Sequence, residues 1–122
     1  MIYLDNSATT RPFDSVVDVM NACMRDTWYN PSAAYKPAVD LDRRMRLCRQ
    51  VIARQLGAQE DEVIFTSGGT ESDNWALKGV AQAYAAKGKH IIISAIEHHA
   101  ILHSAQALEK QGWDLTILPV DE

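Results

Sequence analysis

Apolar positions along this chain follow two different periods. Val16, Val17, Met20, Cys23 and Met24 recur at helical spacing, and Pro12 suits a first helical turn, so a helix is predicted from Pro12 to about Arg25. Leu41, Met45, Cys48, Ile52 and Leu56 mark the buried stripe of a second helix, about Pro37 to Leu56, with Gly57 as its C′ residue. Between them, Trp28-Tyr-Asn-Pro-Ser32 reads as a loop, since the residue before proline is pushed out of the α region. The first eleven residues are short, polar and extended in character.

Beyond Gly57 the pattern changes. Glu62 to Thr66 is a strand candidate, Ser67-Gly-Gly-Thr70 a turn, and Glu71 to about Ala86 a helix. His90-Ile-Ile-Ile-Ser94 is an apolar strand of the kind buried on both faces. A helix over about Ala100 to Lys110, closed by Gly112, leads to a third strand at Leu115–Leu118. Strands alternating with helices at this spacing predict an α/β layer with parallel strands. Stopping at Pro119-Val-Asp-Glu122, just past such a strand, suggests an incomplete fold.

Composition narrows the function classes. A formal net charge of −4 argues against a nucleic-acid binder or an anionic-membrane binder. No apolar run spans a membrane, and Met1 to Asp5 has no signal-peptide character. Cys23 and Cys48 form no C-x-x-C pair; both are expected reduced and mostly buried, in a cytoplasmic setting. Arg43, Arg44, Arg46, Arg49 and Arg54 read first as a solvated or subunit-contact face rather than an anion site.

Two loops carry candidate chemistry. In Phe65-Thr-Ser-Gly-Gly-Thr-Glu71, a strand candidate runs through two glycines into a helix start, which offers free N–H groups and a positive dipole end to a phosphate. The same residues also make an ordinary βα turn with Thr70 as N-cap and Asp73 at N3, and pattern does not separate the two readings. The run is neither a Walker loop nor a G-x-G-x-x-G fingerprint. Ala95-Ile-Glu-His-His-Ala100 follows the second strand at the same sheet edge. His98 there can stack on a planar cofactor or move protons, although a lone histidine in this place reads first as a helix cap or solvent group. His99 and His103 stand at i, i+4 and have the spacing to share a metal ion with Glu97 near. This is not H-E-x-x-H and has no third ligand, so no metal is expected.

Together these residues resemble the amino-terminal part of a cysteine desulfurase, in the class V aminotransferase group of pyridoxal-phosphate enzymes. The resemblance runs through Tyr3-Leu-Asp-Asn-Ser-Ala-Thr-Thr10, Asn30-Pro-Ser32, Phe65 to Asn74, Lys89 to Ser94, and Glu97-His98. It implies an α/β, fold-type I architecture present in part. Residues 1–57 would hold the N-terminal segment and helices, and 58–122 the opening βαβαβ part of the cofactor-binding large domain. By the same resemblance, Gly69 and Thr70 hold the phosphate of pyridoxal 5′-phosphate. His98 stacks on its ring and assists proton transfer. Ala8, Thr9 and Asn30 lie near the substrate channel. The implied reaction takes sulfur from L-cysteine, leaves L-alanine, and passes a persulfide to acceptor proteins for iron–sulfur cluster or thio-cofactor assembly.

This chain departs from the family pattern at Tyr35, where a histidine is common, at Ala38, where a glycine is common, and at Ser7, where asparagine is often seen. None of Lys36, Lys78, Lys87, Lys89 and Lys110 has the S-x-H-K context of the Schiff-base lysine. The chain alone is therefore expected to be inactive. Alternatives are a selenocysteine lyase or other class V enzyme, a non-catalytic anion-binding module, and a histidine metal protein. In the resembled sheet, with strand order 3-2-4-5-6-7-1, the strand at Val63–Phe65 would stand apart from the other two. Either it moves beside Ile91–Ile93 or a second copy supplies the missing neighbours, and a homodimer or larger species is expected.

Overall fold

A computed structural model describes residues 2–121, so Met1 and Glu122, the ends of the sequence reading, lie outside the described residues. The chain divides into two compact units, Met1–Ile64 and Phe65–Glu122.

The first unit holds α1 (Asp14–Asp26), α2 (Lys36–Leu56) and a 3-10 turn at Glu60–Glu62. Helix α1 starts after Pro12, with Phe13 as its extended N-cap. Helix α2 has proline in its first turn and ends at Gly57, whose φ of 66° places it in the left-handed region that glycine enters without steric cost. The turn that follows closes on itself: the Gln59 amide donates to Glu62 Oε2 at 2.6 Å in a capping box.

The expected apolar stripes do not become a core here. Helix α1 has no buried residue, and on α2 the buried positions are Ala38 and Ala53, while Cys48, Ile52 and Leu56 are exposed. The reason is packing. Among the described elements of this unit only α2 and the 3-10 turn touch, tied by Gln50 Nε2 donating to Glu60 Oε2 at 2.8 Å. Cys23 is half-buried and Cys48 exposed, both as free thiols, which corrects the expectation that both are buried.

The second unit is a small α/β layer: α3 (Gly69–Tyr84), β1 (His90–Ser94), α4 (His99–Glu109) and β2 (Asp114–Leu118). Strands β1 and β2 pair in parallel, His90 opposite Asp114 and Ser94 opposite Leu118, and α4 crosses between them. Ala81, Ile91, Ile93, Ala105 and Leu108 form the core, with Leu77, Ile101, Leu102, Trp113 and Leu115 packed around it. Ile91 and Ile93 point into that core, whereas Ile92, on the opposite face, is 57% exposed. The strand is thus covered on one face, not both, because α3 and α4 lie on the same side of a sheet whose side chains alternate.

The strand expected at Glu62–Thr66 is absent. Val63 is extended, with φ −96° and ψ 113°, but no ladder forms and the sheet has two strands. A strand exists through its neighbour, and β1 and β2 satisfy one another. Among the described residues this segment does not pair with Ile91–Ile93. Phe13, Trp28 and Leu56 in the first unit and Ile96 in the second leave apolar side chains exposed.

Candidate functional site

The turn before α3 is built from short polar side chains. Helix α3 begins at Gly69, two residues earlier than expected, and its N-cap is Gly68, which offers no side-chain cap. Thr70 is thus inside the helix and not the cap. The Thr66 and Ser72 hydroxyls share a hydrogen bond of 2.7 Å, and Ser72 Oγ donates to the Gly68 carbonyl. The Ser67 amide and hydroxyl both donate to Glu71 Oε2, each at 2.7 Å.

Those bonds hold the Glu71 carboxyl below the ordinary glutamate range, the Ser67 amide first and the Ser67 hydroxyl second. A carboxyl lowered in the folded state stabilises the turn above its unfolded pKa, and that contribution is lost as pH falls through the folded value. We expect the Ser67 amide resonance to titrate with a midpoint below that of a free glutamate. A midpoint at or above the free value would remove this bond from the solution structure.

A phosphate-bearing cofactor needs converging donors and room. The first backbone bond of α3 is the Ser72 amide to the Gly68 carbonyl. Among the described residues, no backbone carbonyl outside the helix ladder accepts from the amides of Gly69, Thr70 or Glu71. The Thr70 hydroxyl makes no hydrogen bond among them either. A Cβ placed on Gly68 or Gly69 would meet nothing within 4 Å. Gly68 is extended and Gly69 helical, so these glycines do not serve a left-handed turn; they leave the space over the helix end clear. The residues fit a phosphate at Gly69 and Thr70. They do not fit one at Ser67, whose donors are taken by Glu71.

The second loop meets this turn. Beyond Ser94 the chain turns through Ala95 and Ile96, and His98 becomes the N-cap of α4, its Nδ1 accepting from the Ala100 amide at 3.1 Å. The capping reading of His98 is therefore what the fold adopts, and it fixes the ring. That leaves Nε2 as the ring nitrogen not engaged in the cap.

Thr70 and His98 line one cleft of about 320 Å³ between the first turns of α3 and α4, with Asn74, Lys78, His99 and His103 around it. Asn74 holds the two helices in register. Its Nδ2 donates to the Thr70 carbonyl at 2.9 Å, and its Oδ1 accepts from Lys78 Nζ at 2.6 Å and from Ser104 Oγ at 2.8 Å. Ser104 is buried, so this bond also satisfies a hydroxyl that has no water to turn to. Sequence reading missed Asn74 and Lys78. Their spacing, i+4 and i+8 from Thr70, was the available signal, since it puts all three on one helical face.

The remaining expected site residues lie in the first unit. Thr9 Oγ1 bonds the Tyr3 hydroxyl at 2.6 Å, and the Ala8 amide donates to the Asp5 carbonyl at 3.1 Å in a tight turn. Asn30 Oδ1 accepts from the Ser32 amide at 3.0 Å, an Asx turn around Pro31. Beside it Trp28 stacks on Tyr29 at 5.0 Å, and Tyr35 meets Tyr29 edge-on at 6.1 Å. Among the described residues no helix is long and apolar enough to cross a membrane.

Comparison with known proteins places these features in a family. The model of the class-V aminotransferases matches residues 2–122. A cysteine desulfurase IscS of Methanosarcina thermophila is 51% identical over 121 residues, 99% of this chain and 30% of that protein. A cysteine desulfurase IscS of Clostridium botulinum (strain Kyoto / Type A2) is 47% identical over 121 residues, with the same coverage of both. Among solved structures, a NifS-like protein superposes with a TM-score of 0.86 at 36% identity, over 95% of this chain and 32% of that one. A structure described as SspA in complex with cysteine gives a TM-score of 0.85 at 37% identity, over 95% of this chain and 33% of that one. The chain thus spans about 30% of the length of the curated relatives it matches.

Proposed function

Because this chain belongs to the class-V aminotransferase family, we propose that it supplies the phosphate cradle and the ring-stacking histidine of a pyridoxal-phosphate-dependent cysteine desulfurase. The observation that carries this reading is the joining of Thr70 and His98 in one cleft, beside a helix end whose first amides are open. When bound, the cofactor supplies an electron sink to the amino acid joined to it. The Gly69 and Thr70 amides and the Thr70 hydroxyl would hold its phosphate through charge-assisted bonds along the α3 dipole. The His98 ring, oriented by the Ala100 amide, would lie on the cofactor plane, with Nε2 the atom free to give or return a proton. Asn74 would keep Thr70 and His98 at a fixed separation by tying α3 to α4.

L-cysteine is the substrate that this reading assigns, in keeping with the names of the relatives and with the cysteine complex of one of them. L-alanine and a persulfide passed to acceptor proteins would be the products. A cytoplasmic setting and a homodimer or larger assembly complete the proposal, the exposed apolar faces of α1 and α2 being suited to further contacts.

The test separates this chain from what it requires. Its five lysines lack the S-x-H-K context, so the 122-residue chain should form no alanine from L-cysteine above a heat-killed control. Joined to the rest of the Methanosarcina thermophila relative, of which it matches 30%, it should form alanine and sulfide in a pyridoxal-phosphate-dependent way. A folded, cofactor-loaded hybrid that releases neither would overturn the desulfurase reading, and turnover by the chain alone would overturn the assignment of roles.

A further inference from the structure

Four histidines are present, and the fold treats them differently. His98 Nδ1 caps α4, and His90 Nε2 bonds Thr116 Oγ1 across the sheet at 2.8 Å. His99 and His103 make no hydrogen bond or ion pair among the described residues. They occupy the first turns of α4 at i, i+4, both exposed, and both line the cleft. Their rings are nearly parallel, 19° apart in plane and 5.3 Å between centroids.

We propose that His99 and His103 form a two-imidazole site for a divalent transition-metal ion of the Ni2+, Cu2+ or Zn2+ type. Imidazole nitrogen is a preferred ligand for these ions, and bonds of about 2.0–2.1 Å suit Zn2+. Residues four apart on a helix stand about 5–6 Å apart at Cβ, close enough for one ion to be shared. The second torsion of histidine is broad, so a modest turn of each ring brings one nitrogen from each to a common point. No hydrogen bond has to be broken first. The spacing alone, read from sequence, was too permissive to support a metal; what the structure adds is that these two rings are unbonded, exposed and face to face. Water would complete the coordination, because the described residues contain no cluster of three or more metal-ligating side chains. Lys78 lines the same cleft and repels a cation, so the imidazole bonds have to outweigh it; its ammonium is engaged by Asn74 Oδ1 at 2.6 Å. This site does not depend on the cofactor reading and takes a different ligand.

Calorimetric titration of the full chain with NiCl2 tests it. One ion should bind per chain, and His99→Ala or His103→Ala should each weaken binding by about a hundredfold, the lower end of the gain from linking two ligands. His103→Gln, which keeps a good helix former on an exposed turn, should do the same with unchanged circular dichroism. Cys48→Ser, removing the exposed thiol as a rival ligand, should leave the affinity as it was. Absence of saturable binding, equal affinity in His103→Gln, or loss of binding in Cys48→Ser would each overturn the proposal.

Discussion

Replacing His98 by alanine in the hybrid enzyme is expected to slow alanine formation from L-cysteine by about 10²–10⁴-fold, the usual worth of a positioned proton-transfer group. Pyridoxal-phosphate content should fall much less, since the phosphate donors on α3 stay in place. The substitution removes two things at once: the ring over the cofactor and the acceptor that satisfies the Ala100 amide. His98→Asn separates them. Asparagine is a strong N-cap, so it should keep α4 intact while remaining nearly as slow as alanine. If His98→Asn restores most of the rate, His98 acts by capping α4 and not on the substrate.

The second large effect concerns the core that positions the cleft. Leu108 is 1% exposed and belongs to the cluster with Ala81, Ile91, Ile93 and Ala105. Leu108→Ala removes packing atoms from under both strands and should cost about 2–5 kcal/mol. The second unit is small, and marginal stability of about 0.05–0.15 kcal/mol per residue leaves little to lose. The midpoint of urea unfolding, followed by circular dichroism, should fall sharply. A variant within about 0.5 kcal/mol of the parent, the range of ordinary surface substitutions, would mean the Ile91–Ile93 core is not what holds this unit together.

What was legible in the sequence follows the range of the forces involved. Gly57 ended α2 as expected because a left-handed C-cap is a local matter of one residue's backbone. The run Ile91–Ile93 announced a strand, and its partner was found within the chain at Leu115–Ile117. Val63–Phe65 looked equally strand-like and formed none, because pairing is supplied by another segment and not by propensity. The stripe through Cys48, Ile52 and Leu56 was a correct helical pattern that no described element of this unit covers. Burial of the two cysteines was misjudged for that same reason.

The candidate site shows the same division. Ser67 to Glu71 and the His98 loop were visible because helix starts after short loops have a sequence signature. That Glu71 would occupy the Ser67 donors was not visible, since Thr70 and Asp73 offered an equally good cap on paper. Nor was the bond from Ser104 to Asn74, which joins residues thirty positions apart and exists only once α3 and α4 have packed.

Whether the Gly69–Thr70 helix end and the His98 ring receive the phosphate and the ring of one cofactor is decided by amide and imidazole NMR of the 122-residue chain titrated with pyridoxamine 5′-phosphate, which cannot condense with lysines. The Gly69 and Thr70 amides and the His98 ring should shift together with one affinity. Inorganic phosphate should move only the amides, and pyridoxamine lacking phosphate should move neither at the same concentrations. Shifts confined to other residues, or equal shifts from pyridoxamine with and without its phosphate, would contradict that placement.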